Sequence, residues 1–158
     1  MSEGQWPAWA TEPVELAAPD PRWPQQGERE RRRVQRRLSG SLIGEVEHVG
    51  STAVPGLPAK PIIDVQATVT ALEPTGPIVA LLAPNGWQLV PPELDGRSWE
   101  RFVVQVSAGR RAAHLHLLAP GTPQGDERRR FRDALRGRPR AGRRLRRTQS
   151  RPGPGQPP

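Results

Sequence analysis

The sequence contains no cysteine, so it can form no disulfide bond and offers no thiolate as a nucleophile or metal ligand. No apolar run approaches the length of a membrane-spanning helix, and the N-terminus lacks the basic-then-apolar pattern of a signal peptide. Apolar content is low at 34%, whereas proline and glycine reach 20 and 16 of 158 residues, which predicts disordered ends. These properties favour a cytoplasmic protein with one domain and no membrane contact.

Lysine is almost absent, since Lys60 is the one lysine among 24 basic residues. The formal net charge is +8, and residues 126–151 hold twelve arginines against three acidic residues. Such a basic segment could contact nucleic acid nonspecifically through phosphates, although a solvated, partly disordered tail has the same composition. No aromatic residue follows Phe131, so this tail lacks the stacking surfaces of single-strand binders.

Hydrophobic periodicity and turn residues predict an α/β (α+β) domain with a mixed sheet and flanking helices. We predict helices over residues 25–38, 77–83 and 125–136, and strands over 43–49, 62–69, 87–90, 99–107 and 112–118. We also predict that Asp20 caps the first helix and that residues 108–111 form a hairpin turn. The expected domain covers residues 13–137, with a loose N-terminal end over 1–12 and a disordered Arg/Pro/Gly-rich tail over 138–158.

One stretch, residues 47–65 (EHVGSTAVPGLPAKPIIDV), organises the chain: an apolar-rich run, a Gly/Pro loop and a second apolar run. Gly50 would let a phosphate approach the backbone, while Ser51 and Thr52 offer hydroxyl groups and N–H donors. Asp64 could hold a divalent cation that bridges such phosphates. The same residues would also suit a tight turn between two buried strands, and spacing alone favours that structural interpretation.

The sequence has only three histidines, and two of them, His114 and His116, alternate on one predicted strand and therefore share a face. A His-x-His pair on a strand is a recurrent metal-ligand spacing, and imidazoles suit zinc, manganese or iron. They could instead contact a phosphate, act as acid or base, or be half-buried structural side chains. If this strand lies beside the one that carries Asp64, the three side chains converge.

Two further cations are candidates for phosphate contacts. Lys60 lies inside the loop and could meet a phosphate as a point charge, or it is a surface lysine before Pro61. Arg97 precedes the penultimate strand and could clamp a phosphate bidentately. In a chain so rich in arginine, a solvated side chain is the simpler explanation of Arg97.

Residues 47–64 resemble the signature of the GrpB family, which belongs to the nucleotidyltransferase superfamily that includes DNA polymerase beta. Three further segments resemble that family: residues 20–24 (DPRWP), 114–117 (HLHL) and 131–136 (FRDALR). The resemblance covers about residues 13–137. It implies a cytoplasmic protein with a nucleotidyltransferase-like mixed sheet, a module also found fused behind dephospho-CoA kinase in some bacteria.

The superfamily's chemistry is metal-assisted transfer of a nucleoside monophosphate, in which a Gly-Ser turn holds the triphosphate and carboxylates hold two metal ions. The resemblance implies that Gly50 and Ser51 form this turn and that Asp64 is the first, catalytic carboxylate. The second carboxylate, expected two residues later, is replaced by Gln66. The third, expected on a later strand, has no acidic candidate, and the strand placed there carries the two histidines instead.

The sequence therefore predicts a protein that binds a nucleotide or other phosphate ligand, with metal-dependent nucleotidyl transfer as a further option. The expected phosphate contacts are Gly50, Ser51, Thr52, Lys60 and Arg97. The expected ligands of a divalent metal (magnesium or manganese, or else zinc) are Asp64, His114 and His116. Glu47 and His48 are expected to support the turn without contacting the ligand themselves. The alternative is a non-catalytic interaction or folding-assistance module, related to the domain fused to dephospho-CoA kinase.

Overall fold

The computed structural model describes residues 7–10, 12–95 and 97–137, so the predicted tail at 138–158 and most of the predicted loose N-terminal end lie outside it. The helices are α1 (Trp23–Arg37), α2 (Gly76–Leu82), α3 (Pro92–Asp95) and α4 (Pro123–Arg136). The strands are β1 (Leu42–Val49), β2 (Ile63–Val69), β3 (Trp87–Leu89), β4 (Glu100–Ser107) and β5 (Arg110–Leu118). The predicted α/β (α+β) class is confirmed, and α3 is a short helix within a segment predicted to be a loop.

The five strands form one mixed sheet in the order β1-β2-β5-β4-β3. Every neighbouring pair is antiparallel except β2 and β5, which run parallel. Their register places Asp64 opposite His114 and Gln66 opposite His116. The strand adjacency that Asp64, His114 and His116 need in order to converge is therefore present, and it juxtaposes residues 50 positions apart.

The two faces of the sheet have different characters because side chains alternate along each strand. One face packs against α1 and α2 in a single apolar core that includes Val34, Leu38, Val65, Leu82 and Leu115. The opposite face carries the polar side chains of β2 and β5, with α4 and the N-terminal turn Ala8–Ala10 lying over parts of it. No helix in the described ranges is long and apolar enough to span a membrane.

The first helix begins differently from the prediction. Its N-cap residue is Arg22, and no side chain caps the helix. Asp20 instead accepts the backbone N–H of Arg22 at 2.8 Å, so it closes the turn that precedes the helix. Pro24 occupies the first turn, where a missing N–H costs nothing. The prediction that Asp20 caps α1 is thus wrong, although the turn and the helix are both present.

The hairpin between β4 and β5 is tighter than predicted, because Ser107 pairs with Arg110 and leaves a two-residue turn. Its residues, Ala108 and Gly109, both have positive φ, at 51° and 76°. This combination is typical of a type I′ turn, whose twist matches that of the strands. Glycine adopts it freely, but alanine in the left-handed region is strained by its Cβ.

Replacing Ala108 with asparagine should therefore raise the free energy of unfolding by about 1 kcal/mol, since asparagine tolerates positive φ in turns. Urea unfolding followed by circular dichroism would measure the change. Ala108→Ser is the matched control, because serine adds a polar group without the same tolerance. Equal stability of the wild type and the Ala108→Asn variant would contradict the assignment of strain to this turn.

Candidate functional site

The predicted Gly-Ser turn connects β1 to the loop that leads into β2. Gly50 has φ 76° and ψ −174°, a conformation that is almost exclusive to glycine, and Ser51–Ala53 follow as one turn of 3-10 helix. A Cβ atom on Gly50 would lie 2.8 Å from Asp64 Oδ2. Gly50 therefore has two functions: it reverses the chain, and it allows the carboxylate of Asp64 to lie against the turn.

A cleft of about 350 Å³ lies beside this turn and gathers most of the predicted ligand contacts. Its polar lining consists of Ser51, Thr52, Lys60, Asp64 and His114, and its apolar lining of Leu16, Ala59 and Ile62. The side chains of Ser51 and Lys60 are exposed. The fold thus brings a hydroxyl group, an ammonium group, a carboxylate and an imidazole to one opening.

Thr52 and His48 hold the turn from the core side. His48 Nε2 lies 2.9 Å from Thr52 Oγ1, so the hydroxyl group of Thr52 is already hydrogen-bonded within the protein. The His48 ring packs directly on Gly27 of α1, where an added Cβ would lie 2.1 Å from Nδ1. Burial lowers the pKa of His48 to about 4, and the positive charge of Arg136 adds to this effect. His48 is therefore neutral at physiological pH.

This burial predicts a loss of stability in acid. An unfolded histidine binds a proton near pH 6.5, whereas folded His48 stays neutral until about pH 4. The unfolded state therefore gains protons first as pH falls, and the stability contribution present above pH 6.5 is lost by about pH 4. The two pKa values imply a decrease of about 3 kcal/mol in the free energy of unfolding.

The measurement compares urea unfolding of the wild type and of His48→Gln between pH 7 and pH 4. Glutamine places a non-titrating nitrogen near the position of Nε2, so the variant should show a shallower decrease. The difference between the two proteins removes the contributions of the other acidic and basic groups. Parallel stability profiles would show that His48 is not the titrating group.

Asp64 contacts both histidines of β5. Its Oδ1 atom lies 3.5 Å from His114 Nδ1 and 3.3 Å from His116 Nε2. Although burial alone would raise the pKa of Asp64, the two imidazoles outweigh it and hold the pKa at about 2. Asp64 is therefore ionised. The register of β2 and β5 places it directly opposite His114, and His116 lies two residues further along β5.

A second carboxylate, which was not predicted from the sequence, completes this arrangement. Glu100 is only 1% exposed at the start of β4, and its Oε1 lies 2.8 Å from His116 Nδ1. Two arginines compensate its charge, Arg97 at 2.8 Å and Arg128 at 3.0 Å. Burial would raise the pKa of Glu100, but His116 above all, together with Arg97 and Arg128, lowers it to about 2. Glu100 lies on β4 and not on β5, so the strand expected to carry the third carboxylate still carries the two histidines.

His116 is held between the two carboxylates, with one ring nitrogen facing each. A carboxylate can only accept hydrogen bonds, so both ring nitrogens of His116 are donors in this arrangement. Burial lowers the pKa of His116, but Asp64 and Glu100 outweigh it and raise the pKa above its usual value. The side chain therefore supplies a positive charge between two buried negative ones.

Arg97 and Glu47 do not line the cleft around Ser51. The guanidinium group of Arg97 pairs with Glu100 and lies 5.5 Å from the centre of the Trp99 ring. Glu47 accepts two hydrogen bonds of 2.6 Å from Arg129 of α4. The structure therefore places these two predicted site residues in supporting ion pairs.

Helix α4 is attached to the site by side chains that composition alone assigned to a basic tail. Arg132 donates to the backbone oxygen of His48 at 2.9 Å, and Arg136 donates to that of Ala53 at 2.7 Å. Gln66 donates to the backbone oxygen of Gly125 at 2.9 Å. Gln66, which stands where the superfamily has its second carboxylate, therefore anchors helix α4. The resemblance of residues 131–136 to a family segment indicated that Arg132 and Arg136 belong to the domain. Only the tertiary contacts show which groups they bind.

The predicted metal ligands converge but do not fit a preformed metal site. In the part of the chain that the structure describes, no group of three or more histidine, aspartate or glutamate side chains is arranged to hold a metal ion. Both ring nitrogens of His116 face carboxylates, and Gln66 is turned towards α4. A cation at Asp64 would have to displace an imidazole. The divalent metal therefore stays a prediction.

The protein has a five-stranded mixed sheet, and its Gly-Ser turn lies against an acidic residue on the second strand. These features define the chain as an α+β protein whose candidate site is a strand-loop-strand unit. A family model described as "GrpB protein" matches residues 13–151, and the chain belongs to this family. Among solved structures, that of conserved protein GrpB from Enterococcus faecalis is similar, with a TM-score of 0.70 and 28% identity. The similarity covers 81% of this chain and 76% of that one.

Sequence relatives agree with this assignment. A UPF0157 protein from Halalkalibacterium halodurans is 41% identical over 124 residues, covering 78% of this chain and 60% of the relative. A UPF0157 protein from Bacillus subtilis is 29% identical over 126 residues, covering 80% and 36%. A dephospho-CoA kinase from Mycolicibacterium paratuberculosis is 43% identical over 81 residues, covering 49% and 20%. The matched region thus spans less than two thirds of the length of each of these relatives.

Proposed function

We propose that the cleft beside the Gly50–Ser51 turn binds the phosphate groups of a nucleotide or related compound. The observation that carries this proposal is the convergence of Ser51, Lys60, Asp64 and His114 on one opening. The hydroxyl group of Ser51 and the ammonium group of Lys60 are exposed and would contact phosphate oxygens directly. Thr52 would act through the turn, because its hydroxyl group is bonded to His48.

The electrostatics of the site support an anionic ligand. Asp64 alone would repel a phosphate, but His116 compensates its charge, and Arg97 and Arg128 compensate that of Glu100. His114 lies at the edge of the cleft, where its Nδ1 atom is 3.5 Å from Asp64 Oδ1.

Nucleotidyl transfer has weaker support than binding. The resemblance to nucleotidyltransferases implies two metal ions held by carboxylates, whereas here Gln66 anchors α4 and Glu100 reaches Asp64 through His116. A ligand-binding site in which this chain's own cations compensate its carboxylates is consistent with these contacts. Divalent metals are therefore included in the experiment as a variable.

Isothermal titration calorimetry with ATP and with tripolyphosphate, each with EDTA, Mg²⁺, Mn²⁺ or Zn²⁺, tests the proposal. Lys60→Gln should weaken binding at least tenfold, because a charge-assisted hydrogen bond is worth about 1.5–3 kcal/mol. Ser51→Ala should weaken binding to a smaller extent. Ser98→Ala is the matched control for Ser51, since Ser98 is also exposed and does not line the cleft. Unchanged affinity in both cleft variants would contradict the proposal.

The second candidate is a non-catalytic interaction or folding-assistance module. It is favoured by one observation, the 43% identity to part of a dephospho-CoA kinase, where the matched region covers 20% of that larger protein. In that case the turn and the histidines would serve the fold alone. The calorimetric series separates the candidates, because this module would bind neither ATP nor tripolyphosphate under any metal condition.

A further inference from the structure

A second cavity, of about 250 Å³, opens on the same face of the sheet as the cleft. Its apolar walls include Leu89 of β3, Leu94 of α3, and Phe102 and Val104 of β4, and Trp9 of the N-terminal turn contributes a further wall. Two aromatic rings therefore line a small apolar space. Such a space suits a flat, uncharged ring better than a phosphate.

The cavity and the phosphate cleft are separated by little more than one side chain. His114 lines the cleft, and its ring lies 4.8 Å from the Phe102 ring, centroid to centroid, in an edge-to-face contact. Val104, which also lines the cavity, pairs directly with His114 in the sheet. One molecule with an apolar end and a phosphate end could therefore occupy both spaces. Together the two spaces reach the volume typical of small-molecule sites, about 300–1,000 Å³.

The cavity also contains a polar group that restricts the choice of ring. Arg111 lines it, and donates to the backbone oxygen of Glu12 at 2.8 Å through Nη2. Its Nε atom is buried and has no partner among the described residues. An aliphatic occupant would leave this donor unsatisfied, which is unfavourable. A heteroaromatic ring with nitrogen or oxygen acceptors would satisfy it.

We propose that this cavity binds the nucleobase of a nucleotide whose phosphates occupy the cleft at Ser51 and Lys60. The base lies against Trp9 and Phe102, and an acceptor atom of the base receives the Nε–H of Arg111. The inference rests on the phosphate-binding function proposed above and adds the chemical class of the rest of the ligand.

The experiment compares ATP, tripolyphosphate and octyl phosphate by calorimetry with the full-length chain. ATP should bind at least tenfold more tightly than tripolyphosphate. The reason is that stacking of a base on an aromatic side chain increases affinity about tenfold. Trp9→Ala should remove about tenfold of the ATP affinity and leave tripolyphosphate binding unchanged. Quenching of tryptophan fluorescence by ATP should decrease in the same variant.

A second pair of variants tests the position of the cavity. Leu94→Ala should weaken ATP binding without affecting tripolyphosphate. Leu81→Ala is its matched control, because Leu81 and Leu94 are both 45% exposed and Leu81 lines neither space. Circular dichroism checks that each variant is folded.

The possible results separate this inference from the function on which it rests. Equal affinity of the wild type for ATP and tripolyphosphate would overturn the nucleobase assignment and leave the phosphate cleft intact. Octyl phosphate binding as tightly as ATP would overturn it in favour of an aliphatic occupant. Failure of all three compounds to bind would overturn the phosphate-binding proposal itself.

Discussion

Replacing Glu100 with alanine should lower the free energy of unfolding by about 3–5 kcal/mol, the usual effect of removing one partner from a buried ion pair. The carboxylate is 1% exposed and contacts three cationic groups, those of Arg97, His116 and Arg128. Without it, His116 and Arg128 would remain largely buried beside each other with like charge. The cost of that repulsion exceeds any gain from relieving the desolvation of one glutamate.

Thermal unfolding would show this effect as a decrease in Tm of roughly 10 °C for a chain of this size. The matched control is Glu73→Ala, since Glu73 also pairs with an arginine, Arg101 at 2.7 Å, but is 68% exposed. That variant should change the free energy of unfolding by less than about 1 kcal/mol. A similar small effect at Glu100 would show that the buried chain of charges contributes little to stability.

Glu100→Gln separates charge from shape at the same position. Glutamine keeps the volume and one acceptor but removes the negative charge between His116 and the arginines. His116 should then lose one of its two carboxylate partners while the fold is retained. Nitrogen-15 NMR of the histidine rings would detect this as a changed protonation pattern at His116 alone. An unchanged His116 spectrum would show that Glu100 does not position that ring.

Replacing Gly50 with alanine should abolish the proposed phosphate binding and lower the free energy of unfolding by about 3 kcal/mol. The backbone conformation at φ 76° and ψ −174° costs a residue other than glycine about 1–3 kcal/mol. In addition, the new Cβ would lie 2.8 Å from Asp64 Oδ2, so the turn or the carboxylate must move. Either movement disrupts the cleft that Ser51 and Asp64 share.

Gly44→Ala is the matched control for this substitution. Gly44 has nearly the same φ, at 75°, but an added Cβ would meet no atom within 4 Å. It should therefore show the backbone strain without any loss of ligand binding. If Gly50→Ala retained full affinity for tripolyphosphate, the close contact between the turn and Asp64 would have no role in binding.

The parts of this protein that local sequence predicted are those that depend on short-range physics. The near-continuous apolar run at residues 62–69 is typical of a strand covered on both faces, and β2 lies inside the sheet between β1 and β5. Alternation along residues 43–49 predicts that Val46 and His48 share one face of the strand, and both side chains are buried. The Gly-rich turn at residue 50 was recognisable because only glycine combines that backbone conformation with close contact.

Other local predictions failed where two local solutions compete. Asp20 can either cap a helix or close the preceding turn, and its sequence position suits both functions. Likewise, Arg110 and Arg111 were predicted to be turn residues. In the structure Arg110 pairs with Ser107, and Arg111 pairs with Val106 of β4. The cross-strand hydrogen bonds decided this outcome, and local composition carries little information about them.

Sequence alone predicted the family, the five strands, the three longer helices and the Gly-Ser turn, because each depends on residues close together in the chain. Tertiary structure alone decided the partners of the charges. Glu100 reaches His116 only through the pairing of β4 with β5, and the arginines of α4 reach β1 only because that helix docks across the sheet. Arginine in a basic chain has the same local sequence signal whether it is solvated or buried against a carboxylate, since the distinction depends on contacts between residues distant in sequence.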